Sequence, residues 1–205
     1  MNLTYVTSNY GKYIRAKERF EKKSVSVGCF NIELDEPEVN DIRFISKAKA
    51  KQAYELVKSP VFVTDNGFYI ENYPGFPGYP GAFAKRSGIS SDVDNLLEVM
   101  KDVDDRSCYF LECLTYYDGE NYEQFFGKSS GVLAYERRGA ESEKAMSNLW
   151  QVFIPDNYTK TLAEMTDEER LNRNDNRTSA IDDFLDWYRK KYVKYETRSR
   201  KIIKC

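Results

Sequence analysis

The chain has no histidine, so any chemistry it performs has to rest on carboxylates, lysines, arginines and hydroxyls. Ser-His and Cys-His dyads, a histidine general base and histidine metal sites are excluded. A reaction built on the remaining groups is expected to recruit a hard cation such as Mg2+, which takes oxygen ligands. The best-placed carboxylate is Asp65, after the apolar run Val61-Phe62-Val63 and before Asn66-Gly67 and Phe68-Tyr69-Ile70. Asn-Gly between β-rich runs predicts a tight turn, which would hold Asp65 at a strand tip, at the mouth of a sheet. There it could orient and deprotonate a water that attacks phosphorus. The competing reading is a turn aspartate bonded to its own backbone. The next loop, residues 74–82, repeats Pro and Gly. Such a loop is stiff at its prolines and lets a ligand approach the backbone at its glycines.

A second group is Thr7-Ser8-Asn9-Tyr10-Gly11-Lys12. It follows a predicted strand over residues 3–6 and opens a predicted helix over 13–23. A strand feeding a helix start gathers free backbone N–H groups and the positive end of the helix dipole, which suits phosphate. Thr7, Ser8 and Asn9 can donate to phosphate oxygens, and Lys12 supplies charge. An ordinary N-cap with a surface lysine is the alternative.

The elements that must position these groups follow from periodicity. Residues 25–34 read as a strand and 42–58 as a helix, with Ile42, Ile45, Ala48, Ala53 and Leu56 near helical spacing. A helix is predicted over 91–101. Strands over 108–117 and 122–126 flank the hairpin signal Asp118-Gly119. A further strand is expected at 132–135, a short apolar run at 150–154, an acidic helix start after Thr166 and a last helix over 178–194. Strands and helices alternate, which predicts an α/β fold with a mixed sheet. The 205 residues read as one domain over 1–197 and a basic, frayed tail over 198–205. A net charge of −2 makes no global case for nucleic acid as a partner. No membrane-length apolar window and no signal-peptide pattern occur. The four cysteines show no CxxC spacing, and Cys108 and Cys113 read as core thiols of a reducing compartment. A soluble cytoplasmic protein is expected.

Taken in order, these segments resemble the inosine triphosphate pyrophosphatase family of house-cleaning hydrolases, nearly from end to end. Residues 7–12 look like its T-[GS]-N-x-x-K phosphate loop, and Pro37-Glu38 like its metal-binding P-E. Asp65-Asn66-Gly67 with Gly75-Phe76-Pro77-Gly78 matches D-[ST]-G…G-x-P-G. Phe126-Gly127 with Gly131-Val132-Leu133 matches F-x-G…G-x-I, and residues 161–165 match T-x-A-E-[LM]. The chain also departs from the pattern. The aromatic block survives only as residues 148–155, without its aspartate and first proline. The base-reading S-H-R triplet is Asp175-Asn176-Arg177, and the lysine ahead of it is Arg170 or absent. The family's glutamate one helical turn after the first lysine is Arg15.

The resemblance implies a long twisted mixed β-sheet flanked by helices, with two lobes around a central cleft, and a homodimer. It implies Mg2+-dependent hydrolysis of a non-standard purine nucleoside triphosphate (ITP, dITP or XTP type) to the monophosphate and pyrophosphate. On that reading Thr7, Ser8, Asn9, Lys12 and Lys49 clamp the triphosphate, with Asn66 beside them. Lys12 and Asp65 carry the catalysis, and Glu38 and Asp65 manage the cation. Trp150, Phe153, Arg170, Asn176 and Arg177 form the base pocket. Glu36 competes with Glu38, and Lys47 and Lys51 compete with Lys49. Trp150 and Phe153 could equally be core aromatics. Two rivals are the same reaction on another modified or pyrimidine nucleotide, and a nucleotide-binding protein that has kept the fold.

Overall fold

The computed structural model describes residues 3–140 and 147–193, and the expected basic tail over 198–205 lies outside them. The elements run β1 (Leu3–Val6), α1 (Tyr10–Lys22), β2 (Val27–Phe30), α2 (Ile42–Val57), β3 (Val61–Ile70) and β4 (Pro80–Gly81). They continue with α3 (Val93–Val99), β5 (Ser107–Tyr117), β6 (Tyr122–Leu133), a 3-10 turn (Asn148–Gln151) and β7 (Phe153–Pro155). Helices α4 (Asp167–Leu171) and α5 (Ala180–Tyr188) follow, and α5 runs into a π-helical turn (Arg189–Val193).

The helix starts obey local chemistry. Asn9 caps α1 by accepting from the Lys12 amide, and Asp41 caps α2 by accepting from the Arg43 and Phe44 amides. Thr166 and Glu169 form a reciprocal capping box on α4. The strands expected at 108–117 and 122–126 pair as β5 and β6, and residues 132–133 finish β6 rather than starting another strand.

The seven-stranded sheet has the order β2-β1-β3-β5-β6-β7, with β4 also on β3. Strand β1 is parallel to β2 and β3, and the remaining pairs are antiparallel. The expected turn at Asn66-Gly67 is absent. All ten residues of β3 pair with β5, so Asp65 lies mid-strand rather than at a tip. The local turn signal loses to a ladder whose partner strand is distant in sequence. Gly67 is needed for another reason. A Cβ there would stand 2.9 Å from the Gly81 carbonyl oxygen and 2.7 Å from the Tyr69 ring.

Two apolar cores share one face of the sheet. Phe62, Leu114 and Tyr116 pack with Ala16 and Phe20 of α1 and Phe184 of α5. Phe68 and Ile70 pack with Leu96 of α3 and with Phe153. Fully burying one such side chain stabilises by roughly 1.5–3 kcal/mol. Because side chains alternate along a strand, Thr64 and Asn66 lie on that same face, in a polar gap between the cores. Helix α2 covers the opposite face over Val61 and Val63.

Candidate active site

On the edge of β3 that faces β1, β1 pairs only as far as Phe62, and β4 begins to pair at Phe68. Residues 63–67 therefore border a notch in the sheet. The loop that opens α1 enters the notch at the carboxyl end of β1, where open α/β sheets place their ligands.

Around the notch, Asp65 is the central group. Its Oδ1 accepts from Lys49 Nζ at 2.6 Å, and Lys49 Nζ also donates to Glu36 Oε1 at 2.9 Å. Asp65 Oδ2 is buried and has no hydrogen-bond partner. Burial pushes the Asp65 carboxyl above its usual range, against the pull of Lys49 and Lys12. Burial also works against the charge on Lys49, but Lys49 has two carboxylate partners, and they hold its ammonium above the ordinary value. Glu36 is likewise penalised by burial, yet Lys49 and Arg86 keep its carboxyl below the usual range. Arg86 Nη2 closes this side by donating to the Glu36 backbone oxygen at 2.8 Å.

Lys12 approaches from α1. With the Asn66 amide oriented to satisfy both its atoms, the side-chain oxygen accepts from Lys12 Nζ at 2.9 Å, and the nitrogen donates to the Asp65 backbone oxygen at 3.2 Å. Burial pulls the Lys12 ammonium below its ordinary value, while Asp65 and Glu112 lift it. In the preceding loop Thr7 Oγ1 accepts from the Asn9 amide at 3.1 Å, and Ser8 is exposed. The loop, Lys12, Lys49, Asp65 and Asn66 are thus gathered at one place. Glu38 is exposed, and it is Glu36 that shares Lys49 with Asp65.

The expected base pocket assembles only in part. Arg170 lies over the Trp150 ring, 5.1 Å from its centroid, and Arg177 donates to the Arg170 and Leu171 carbonyl oxygens at 2.8 and 2.6 Å. Asn176 is exposed. Phe153 is fully buried against Phe68 and Phe110, so it serves as a core aromatic and does not face a ligand. Its β7 neighbours pair with β6, and that pairing turns its ring inward. Asp175, which stands at the serine position of the family triplet, is buried and pairs with Arg173 at 3.4 Å.

Sequence reasoning missed Glu112. It lies on β5 directly opposite Asn66, and burial pushes its carboxyl above the usual range against Lys12, Arg19 and Arg15. The available signal was one carboxylate inside the apolar run 108–117.

This geometry meets known proteins in a consistent way. The sequence profile of the Ham1 family matches residues 3–187. A dITP/XTP pyrophosphatase of Thermococcus kodakarensis is 30% identical over 187 residues, covering 91% of this chain and 97% of that one. The dITP/XTP pyrophosphatase of Saccharolobus solfataricus is 30% identical over 182 residues, covering 89% and 91%. Among solved structures, a HAM1 protein from Coxiella burnetii superposes with a TM-score of 0.78 at 19% identity, covering 93% of this chain and all (100%) of that one. The Staphylococcus aureus Ham1 protein gives 0.74 at 17%, covering 92% and 99%. The end-to-end resemblance carried by the motifs is therefore borne out, and the chain belongs to the Ham1 family.

Proposed function

We propose that this protein is a nucleoside triphosphate pyrophosphohydrolase acting on non-standard purine triphosphates of the dITP/XTP type, releasing the monophosphate and pyrophosphate. The observation that carries the reading is the buried, unpartnered Oδ2 of Asp65, held beside two lysines at the notch. A buried carboxylate oxygen without a partner is costly unless a ligand completes it. A water at that oxygen would be oriented and deprotonated for attack on the α-phosphorus. Lys12, Lys49 and the free N–H groups at the start of α1 would stabilise the charge that develops on the phosphates.

The same atoms fit a hard cation. Asp65 Oδ2 and the Glu36 carboxylate, which meet through the shared Lys49 ammonium, would offer it oxygen donors, and among the described residues no group of three or more metal-ligating side chains exists. Mg2+ is usually held by one or two carboxylates, with phosphate and water completing its shell. When bound there, Mg2+ would neutralise phosphate charge. On this reading Glu36, which shares Lys49 with Asp65, is the second donor in preference to Glu38. At the other end, Trp150 offers a stacking face, with Arg170 already over its ring.

A panel of ordinary and deaminated purine triphosphates, incubated with the purified protein and Mg2+ and scored for pyrophosphate release, tests the reading. Preferred turnover of inosine- and xanthosine-type substrates is expected. No release from any triphosphate would overturn it, and preferred turnover of a pyrimidine substrate would replace the substrate class.

A further inference from the structure

Helix α2 brings more to the site than Lys49. Ser46, Lys49 and Gln52 stand at i, i+3 and i+6, so they follow one ridge of the helix. At one end the ridge is locked to the sheet. Ser46 is fully buried, with its hydroxyl 2.7 Å from that of Thr115, and it donates to the Cys113 carbonyl oxygen at 3.4 Å. Cys113 is the residue of β5 directly opposite Asp65. Gln124 of β6 joins the cluster, donating to the Thr115 hydroxyl and to the Arg43 carbonyl oxygen, both at 3.0 Å. The middle of the ridge is Lys49, which reaches Asp65 and Glu36.

At the other end, Gln52 meets the loop that carries Glu36. Its Oε1 accepts from the Asp35 backbone N–H at 3.0 Å, and its Nε2 donates to the Asp35 carbonyl oxygen at 3.1 Å. One side-chain amide thus makes both bonds that a neighbouring strand would exchange with one residue. Asp35 and Glu36 are exposed and lie in the irregular stretch between β2 and α2. Before them Leu34 is buried in the cluster that holds Ala50 and Ala53. After them Asn40 accepts from the Ala82 amide at 2.8 Å, and Asp41 caps α2. Between these anchors Gln52 grips the backbone of Asp35, and Arg86 grips that of Glu36. Arg86 also faces the Glu36 charge, with Nη2 3.6 Å from Oε2. Gln52 is neutral and meets Asp35 through its backbone, so its route to the site is the position of the chain.

We propose that Gln52 is a positioning residue for the Glu36 carboxylate: it fixes the Asp35 backbone to the ridge that carries Lys49, and so holds Glu36 at Lys49 beside Asp65. The service of Glu36 to a cation rests on the hydrolase reading above, whereas the tether itself does not. A donor that spends part of its time out of place binds more weakly by that fraction. Loss of the tether therefore falls on the cation requirement and spares the rate at saturating cation.

Two variants of the full chain test this. Gln52→Met keeps the length of the side chain and removes both hydrogen bonds, and Gln52→Asn keeps the amide but shortens its reach. Without metal, NMR order parameters of the Glu36 and Glu38 amides are expected to fall from the rigid range, about 0.85, toward about 0.6. In steady-state assays with an inosine-type triphosphate, the Mg2+ concentration for half-maximal rate should rise by roughly three- to tenfold, the worth of one to two neutral hydrogen bonds. The rate at saturating Mg2+ should hold. In a Glu36→Gln background the same substitution should add nothing further to the Mg2+ requirement, because Gln52 acts through Glu36. Should Gln52→Met fail to fold, Gln52→Asn carries every arm. Rigid amides in the folded variants, or a full additive effect in the Glu36→Gln background, would overturn the proposal. So would a lowered Tm with an unmoved Mg2+ requirement, which would leave Gln52 a stabilising residue alone. Loosened amides with no turnover of any nucleotide keep the tether and remove the hydrolase reading. Turnover with amides and Mg2+ requirement both unmoved removes the tether and leaves that reading intact.

Discussion

Asp65 and Asn66 are neighbours on β3 and so point to opposite faces of the sheet, yet each meets a lysine. Asp65 takes Lys49 from α2, and Asn66 takes Lys12 from α1. One strand thereby presents a carboxylate and an amide to cations arriving from both sides. Both residues lie in the stretch of β3 that borders the notch.

Asp65→Asn keeps the shape of this arrangement and removes the proposed base. Turnover is expected to fall by about 10²–10⁴-fold. Stability should not fall with it. A carboxyl whose folded pKa is raised contributes stability below its unfolded pKa and loses it as pH rises, while the same ionised carboxyl favours the charged form of Lys49, so the two effects of Asp65 oppose each other at neutral pH. A melting curve at pH 7 checks this, and a large drop in Tm would show that the Asp65–Lys49 pair is needed mainly for folding.

The acid limb of kcat/KM reports the same carboxyl. A proton on Asp65 silences it, so activity falls as pH drops through its folded pKa, which burial places above the ordinary aspartate value. Glu36 pushes Asp65 upward and shares Lys49 with it. Glu36→Gln should therefore move the acid limb to lower pH while raising the Mg2+ concentration needed for half-maximal rate. A limb that stays in place, or moves up, contradicts the proposed coupling.

Gly67→Ala tests the close approach of β4 to β3. The added methyl would press on the Gly81 backbone, which cannot rotate away as a side-chain tip can. A loss of about 1–3 kcal/mol in urea denaturation is expected. If Gly67 were a turn glycine, the cost would instead be conformational and β4 would be indifferent.

Phe153 and Trp150 separate packing from recognition. Phe153→Ala should cost about 3–5 kcal/mol of stability, as deletion of a fully buried aromatic does. Trp150→Ala should cost less and raise KM for the nucleotide by roughly five- to a hundredfold, the range of one lost stacking contact. Comparing denaturation midpoints with KM for the two variants distinguishes the roles. Equal effects on KM would return Phe153 to the base pocket.

Much of this architecture is legible in the chain because local signals and distant packing agree. The caps at Asn9, Asp41 and Thr166 mark helix starts, and Asp118-Gly119 marks the β5–β6 hairpin. Where they disagree, the sequence misleads. Asp65-Asn66-Gly67 carries a turn signal, but β5, some forty residues on, extends the strand straight through it. Glu112 is invisible for the same reason, since its significance depends on a register that places it beside Asn66. The choice between Glu36 and Glu38 turns on which carboxylate meets Lys49, and spacing alone does not decide that.

The break between β1 and β4 has a consequence for self-association. A bare strand edge is a template on which another chain can add a strand. Here the bare stretch is only residues 63–67, stopped by β1 at one end and β4 at the other, and crowded by charged side chains. An intruding strand would find no room to extend its pairing and would have to desolvate Asp65 and Lys49 to begin. The fold keeps an open seam in its sheet that is too short to seed aggregation.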